Sequence, residues 1–307
     1  MPDLDIIQYE VTGALGRHLV RDPRSLAYRR RYSGERILPT EWAPKIPVLD
    51  QRNLLAQGIR TSELIQRAAD IEDVEGPEDA EVEESAEGPE PVEDVEGPEA
   101  MEDADALASC TGNAATALIS ILHTADDLAD AGLDVTDPAA AETWAIGLYA
   151  DATQHDQWLE YTWPNQDCGS SGLSVAKALR ARGLIDQYGH ATTAEELCRD
   201  LQNGPVLMGL PWHDAWFEPG GQSALLDDIP DWQESPIVGG HEVCITALEH
   251  VMYDTTSGLD YQRTILRARS SWSASWADAG EFRFSLAIYQ ALRDQIDITM
   301  PRLDNSR

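Results

Sequence analysis

The sequence predicts an α+β fold of two lobes, the first helical and the second β-rich. Three observations carry that expectation. The chain has 307 residues, 42% of them apolar and nine of them tryptophan, enough for a sizeable core. Segments with helical periodicity fall between residues 110 and 183. Short strand-like segments fall between 204 and 286, and this segregation separates helices from sheet rather than alternating them.

Taken in order, residues 1–36 read as an N-terminal arm. The stretch "ILPTEWAPKIPVLDQ" follows as an extended entry, because its prolines disfavour helix at and before them. An acidic insertion spans 59–105, in which "SELIQRAAD" at 62–70 reads as a short helix leading into a loop over 68–105. Between Asp70 and Asp105 there are 18 acidic side chains and no Lys or Arg, and "DVEGPE" occurs twice, at 73–78 and 94–99. Such a segment cannot bury enough apolar surface to offset its ordering entropy, and its Pro and Gly interrupt any helix. It is expected to be a solvated, disordered loop. Three roles stay open for it: a gate over a cleft, a plain spacer, or a docking tail for a basic partner.

Behind the insertion, Ala114, Ala117, Leu118 and Ile121 lie at helical spacing, which predicts a core-facing helix over 110–123. Further helices are expected over 138–153 ("PAAAETWAIGLYADAT") and 172–183 ("GLSVAKALRARG"). Strands are expected in "GPVLMGLPW" (204–212), "HEVCITALEHV" (241–251), "YQRTILRARSSW" (261–272) and "GEFRFSL" (280–286), which are rich in β-branched or alternating apolar residues and bounded by Gly, Asp and Ser. The helical lobe is placed at about 107–188, the β lobe at about 189–300, and a C-terminal tail at 301–307.

The formal charge of -33 excludes general binding to nucleic acid, whose phosphates it would repel. No run approaches the roughly 20 apolar residues of a membrane helix. The start "MPDLDIIQYEVTGALGR" lacks a basic region followed by a long apolar one, so a cytoplasmic protein is expected. Cys110, Cys168, Cys198 and Cys244 show none of the close pairings of a zinc or redox site, and neither metal nor organic cofactor is expected.

Cys110 stands out by position. At a helix N-terminus the unpaired N–H groups and the helix dipole favour thiolate over thiol, which makes a nucleophile. Among seven histidines, His241 is singled out because it follows "VGG" and opens an apolar strand that would fix its ring.

In that order, "SCTGNA" (109–114), "GPVLMGL" (204–210), "GGHEVCI" (239–245) and "SSWSASWADAGEFRF" (270–284) resemble the papain-like cysteine peptidases, most closely their bacterial and phage members. "DPRSLAY" (22–28), "LPTEW" and "PVLDQ" resemble the arm and first segment of those relatives. The resemblance implies a papain-like domain made of 37–58 and 106–300, hydrolysing peptide bonds of a peptide or protein substrate. It implies that Cys110 is the nucleophile and His241 its partner. Ser270 stands where the family has the asparagine that orients the histidine, with Trp272 expected to shield that contact. The family's oxyanion-hole glutamine lies six residues before the cysteine, a place held here by Ala104. Gln51 takes that role if the insertion separates the glutamine from the cysteine, which requires the two ends of the insertion to emerge side by side.

"DCGSSG" (167–172) resembles the family's cleft wall, making Gly169 and Gly172 candidates for substrate binding, with Gly240 and Trp272 beside the catalytic pair; a plain turn and helix cap is the other reading of 167–172. Trp212, Trp216 and Phe217 read either as a cleft wall or as core. Two rival functions remain: a peptide-binding protein that has lost efficient catalysis, and another thiol enzyme such as a cell-wall amidase or a transglutaminase.

Overall fold

The computed structural model describes residues 5–7, 15–22, 36–51, 106–156, 162–163, 167–220, 223–254 and 258–303. The acidic insertion, the helix expected at 62–70 and most of the N-terminal arm lie outside them. Among the described residues no helix is long and apolar enough to cross a membrane.

The elements run β1 (Asp5–Ile7), β2 (Leu19–Arg21), β3 (Thr40–Glu41), α1 (Cys110–Leu122), α2 (Ala125–Asp130), α3 (Pro138–Gln154), α4 (Gly172–Ala181), β4 (Gln187–Ala191), α5 (Ala194–Asp200), β5 (Val206–His213), β6 (Ile237–His250), β7 (Tyr253–Asp254), β8 (Gly258–Leu259), β9 (Ile265–Arg269), β10 (Glu281–Ser285), α6 (Leu286–Leu292) and β11 (Asp297–Arg302). Helices dominate the first half and an antiparallel sheet the second, the α+β arrangement expected.

Caps set the helix starts. The Asp137 carboxylate accepts from the Ala139 and Ala140 amides ahead of α3, with Pro138 at its first position. The Ser171 hydroxyl accepts from the Ser174 amide ahead of α4. α1 differs from expectation: it is buried on every side from Cys110 to Ser120, whereas the sequence predicted one apolar stripe. It is the central helix of its lobe, and most of its buried polar side chains are satisfied, as in the Thr116 hydroxyl donating to the Gly112 carbonyl and the Ser120 hydroxyl to the Ala117 carbonyl, while the Thr111 hydroxyl has no hydrogen-bond partner among the described residues.

The main sheet has the order β10-β9-β6-β5-β11-β4, with β3 also pairing β6, and every pairing is antiparallel. The fourteen-residue β6 is its spine, paired with β5 along its first part and with β9 and β3 along its second. It begins at Ile237, so the "VGG" expected to precede the strand lies inside it. Two further boundaries move. β11 runs to Arg302, past the tail boundary at 300, and β4 straddles the lobe boundary at 188, because these two strands pair with each other. One core packs α1, α3 and α4 with Ile46 and Leu49, and the other packs the sheet around Trp212, Trp216, Trp272, Phe282 and Phe284. Leu207 and Cys244 of the sheet join the helical core, which brings the start of α1 against β6.

Candidate active site

Cys110 is the first residue of α1 and has no exposed surface. The residues before it are held firmly. The Ala108 amide donates to the Asp167 carboxylate (2.9 Å), and the Ser109 hydroxyl donates to Asn113 Oδ1 (2.8 Å). Asn113 Nδ2 in turn donates to Glu142 (2.7 Å), whose other oxygen accepts from the Asp50 amide (3.2 Å). Glu142 thereby ties α1, α3 and the entry segment together; burial pushes its carboxyl up to about 7.

His241 sits in β6 opposite Leu210 of β5. Its Nε2 lies 3.1 Å from Ser270 Oγ, and Trp272 stacks on the ring at 4.4 Å with 22° between planes. Trp212 meets the ring edge-on at 5.2 Å. Nδ1 has no hydrogen-bond partner among the described residues. With the Nε2 proton donated to Ser270, Nδ1 is the nitrogen left to take a proton. The Glu242 amide, one residue on from His241, is within hydrogen-bonding reach of the Cys110 sulfur, so the sulfur lies beside this end of β6.

Gln51 is fully buried. Its amide nitrogen donates to the Leu107 carbonyl (2.9 Å), its side-chain oxygen accepts from the Ser271 hydroxyl, and its backbone N–H donates to the Ser271 carbonyl (3.0 Å). Gln51, the last residue before the undescribed 52–105, is therefore in direct contact with Leu107, two residues after them.

A finding the sequence did not predict is that the chain's own arm lies between residues 169–171 and Gly240 of β6, filling the groove these two walls form beside Cys110. Residues 15–18 run beside 169–171 in a parallel pairing: the Ser170 amide donates to the Gly16 carbonyl (2.7 Å) and the His18 amide to the Ser170 carbonyl (2.7 Å). On the other wall the Arg17 amide donates to the Gly240 carbonyl (2.9 Å). The Gly16 amide lies within hydrogen-bonding reach of the Cys110 sulfur. Glycine is required where these chains cross: a Cβ on Gly169 would sit 1.8 Å from the Gly16 carbonyl oxygen, and one on Gly16 would sit 2.1 Å from the Ala108 Cβ.

This placement sorts the expected residues. Gly169 and Gly240 line the occupied groove, and Ser170, which the sequence reading passed over, makes the main-chain pairing. Gly172 opens α4 and faces a pocket beside the groove. Trp272 is buried against the imidazole, where it shields the ring; it is part of the aromatic core rather than the groove surface, as are Trp212 and Trp216. The Cys168 thiol donates to the Gly169 carbonyl (3.4 Å), and the Cys168 carbonyl accepts from the His18 ring.

The electrostatics reverse one expectation. Burial pushes the Cys110 thiol up to about 12 and the His241 imidazole down to about 3. The amides aimed at the sulfur favour thiolate, but with the arm excluding water desolvation outweighs them. The two groups are thiol and neutral imidazole in this covered form, not the charged couple a helix N-terminus alone would predict.

No family profile and no curated protein matches the chain. Among solved structures it is similar to xylellain, a cysteine protease from Xylella fastidiosa, at 16% identity over 66% of this chain and 81% of that one, with a TM-score of 0.43. It is similar to the Amb a 11 cysteine protease, a ragweed pollen allergen, in its proform, at 11% identity over 66% of this chain and 55% of that one (TM-score 0.38). It is also similar to recombinant stem bromelain precursor, at 11% identity over 65% of each chain (TM-score 0.37). The chain thus spans less than two thirds of the last two. The α+β arrangement of the described residues is consistent with the two-lobed papain-like fold that the sequence resemblance implies.

Proposed function

We propose that the chain is a papain-like cysteine peptidase whose nucleophile is Cys110, and that the structure is its covered form. The observation that supports this best is the peptide already in the groove: an extended main chain, hydrogen-bonded on both walls, with its Gly16 amide at the sulfur.

With the arm displaced, water returns to the site and both pKa shifts relax toward an ion pair. The Cys110 proton passes to His241 Nδ1, and the sulfur attacks the carbonyl carbon of the scissile bond. The resulting oxyanion takes hydrogen bonds from the Cys110 amide and, once it turns from Leu107, from Gln51 Nε2. Collapse expels the amine, which takes the proton from His241 and leaves a thioester on Cys110. Water then attacks the thioester, giving its proton to His241; the released sulfur recovers that proton as the acid product departs. Ser270 holds the imidazole and Trp272 keeps that contact dry. The substrate is a peptide or protein, and the chemistry calls for no metal or organic cofactor.

The test is casein hydrolysis by the full chain carrying Gly16→Leu, which expels the arm, beside the same chain carrying Cys110→Ala as well. Hydrolysis abolished by the second change is expected. A rate unaffected by the loss of Cys110 overturns the reading, and so does no hydrolysis together with an alkylation rate at Cys110 no faster than that of a free thiol.

A further inference from the structure

Arg17, the arm residue after the one on the sulfur, turns its side chain out of the groove and buries it completely. Arginine is almost never fully buried unless paired. Its pocket lies between the start of α4, the middle of β5, β6 and the start of β11. Arg17 Nη1 donates to the Gln295 carbonyl (3.2 Å) and Nη2 pairs with the Asp297 carboxylate. The guanidinium rests on the bare backbone of Gly209, where a Cβ would lie 2.2 Å from Nε. Across the pocket, Glu242 Oε1, Thr299 Oγ1 and Asp297 Oδ2 converge on Gly172, at 2.9, 3.0 and 3.1 Å from where its Cβ would be.

The acid is in excess here. Glu242 is 1% exposed, and neither of its carboxylate oxygens has a hydrogen-bond partner among the described residues. A pocket that served only to anchor one arginine would be complete with Asp297 and the Gln295 carbonyl. An apolar side chain in the same place would leave two carboxyl groups desolvated and unanswered, a cost of about 1–3 kcal/mol for each buried polar group, more if charged. Two glycines, moreover, keep the space flat and wide enough for a planar cation.

We infer that this pocket selects substrates: it takes the arginine side chain of a peptide at a position next to the residue on Cys110, with Asp297 and Glu242 as the specificity-determining residues and Arg17 standing in for the substrate in the covered form. The inference rests on the peptidase reading for its word "substrate", but the pocket's preference can be measured without catalysis.

The experiment uses the full chain with the groove opened by Gly16→Leu or, should that variant not fold, by Arg17→Ala, which removes the arm's own guanidinium. Fluorogenic peptides identical except for arginine or citrulline at each position flanking the bond are compared; citrulline keeps the shape and loses the charge. At one position arginine is expected to raise kcat/KM at least 10-fold over citrulline, as charged hydrogen bonds of about 1.5–3 kcal/mol require, and Asp297→Asn with Glu242→Gln is expected to collapse that ratio toward one. Equal rates for arginine and citrulline at every position overturn the inference. If no peptide is cleaved, the peptidase reading fails and the pocket is judged by binding: the same peptides compete with a fluorescent peptide of residues 14–20 on the open chain carrying Cys110→Ala. Tenfold tighter competition by the arginine peptide sustains the pocket, and equal competition or none sinks it.

Discussion

Replacing Gly16 by leucine should convert Cys110 from an inert thiol into a reactive one, by an amount the structure sets. A Cβ at Gly16 falls 2.1 Å from the Ala108 Cβ and 2.4 Å from its carbonyl oxygen. Ala108 is the fixed partner, held by Asp167 and continuous with α1, whereas the arm near Gly16 is held by three main-chain hydrogen bonds and the Arg17 contacts. The arm therefore moves and water reaches the sulfur. A thiol at about 12 is ionised to about one part in 10⁵ at pH 7, and one returned to its ordinary value near 9 to about one part in 10². Nucleophilicity falls with pKa at a Brønsted slope of about 0.4–0.5, which takes back about 1.2 to 1.5 of those three decades. The net gain is roughly 30- to 60-fold before any improvement in access. The assay is iodoacetamide alkylation at pH 7, followed site by site by mass spectrometry, with buried Cys198 and Cys244 as internal standards. Alkylation of Cys110 within threefold of wild type would refute the claim that the arm holds the thiol protonated. A wild-type Cys110 as reactive as glutathione would refute it independently.

The other predictions concern the groups around the pair. On the open-groove background, Ser270→Ala removes the 3.1 Å contact to His241 Nε2 and should lower kcat/KM about 5- to 30-fold, worth 1–2 kcal/mol of positioning; an unchanged value means that Trp272 alone fixes the ring. Gln51→Ala should lower kcat about 10²-fold or more with little change in KM if Gln51 donates to the oxyanion, while a lowered melting temperature with kcat intact assigns it to anchoring Leu107 and Ser271 alone. Stability should fall as pH rises from 6.5 to 8. Burial raises Glu142 to about 7 and Glu242 to about 8, so the folded state holds protons that the unfolded chain has released. Their stabilising contribution is complete below the ordinary 4.5 and lost as pH passes through the folded values. His241 and His190, lowered to about 3 and about 4, act in the opposite sense but only below about 6.5. Thermal melts at pH 6.5, 7.2 and 8 check the slope, Glu242→Gln should flatten it, and a flat wild-type curve contradicts the burial of both carboxyls.

Much of the fold was legible because local physics wrote it. α3 carries its Asp cap and a proline at its first position, α4 its Ser cap, and β5, β6, β9 and β10 their β-branched or alternating runs. The elements that were missed are short or specified from afar. α5 and α6 have seven residues each, too few for a periodic signal, and β4 and β11 are defined by pairing across a separation of more than a hundred residues, as in Ile298 with Ala191. At the candidate site, Cys110, His241 and Ser270 were singled out by the order of motifs, and Gln51 by a motif split by the insertion; the structure puts Ser270 against the His241 ring and Gln51 against Leu107. Ser170 and the arm were not, since "LGRH" carries no local preference for a groove and its partners lie far along the chain. Glu242 did leave a trace: it is a carboxylate inside the apolar run "HEVCITAL", a residue type that a buried strand excludes unless the site needs it.

Covering and quenching are a single device in this molecule. The amides of Gly16 and Glu242 already lie within reach of the sulfur, where they favour a thiolate, and Ser270 and Trp272 already contact the imidazole. The missing ingredient is solvent, because in a dry groove a thiolate and an imidazolium each lose more hydration than these dipoles return. A segment that only blocked access would leave a charged pair waiting beneath it. This one also removes the charge, so the Cys110 thiol is unreactive even toward reagents small enough to slip past. On the proposed peptidase reading, an order of events on opening follows: the arm leaves, water enters, the proton transfers, and only then can sulfur attack. A solvent-exposed Cys110 still titrating near 12 would break that order, since burial would then not be what holds the proton in place.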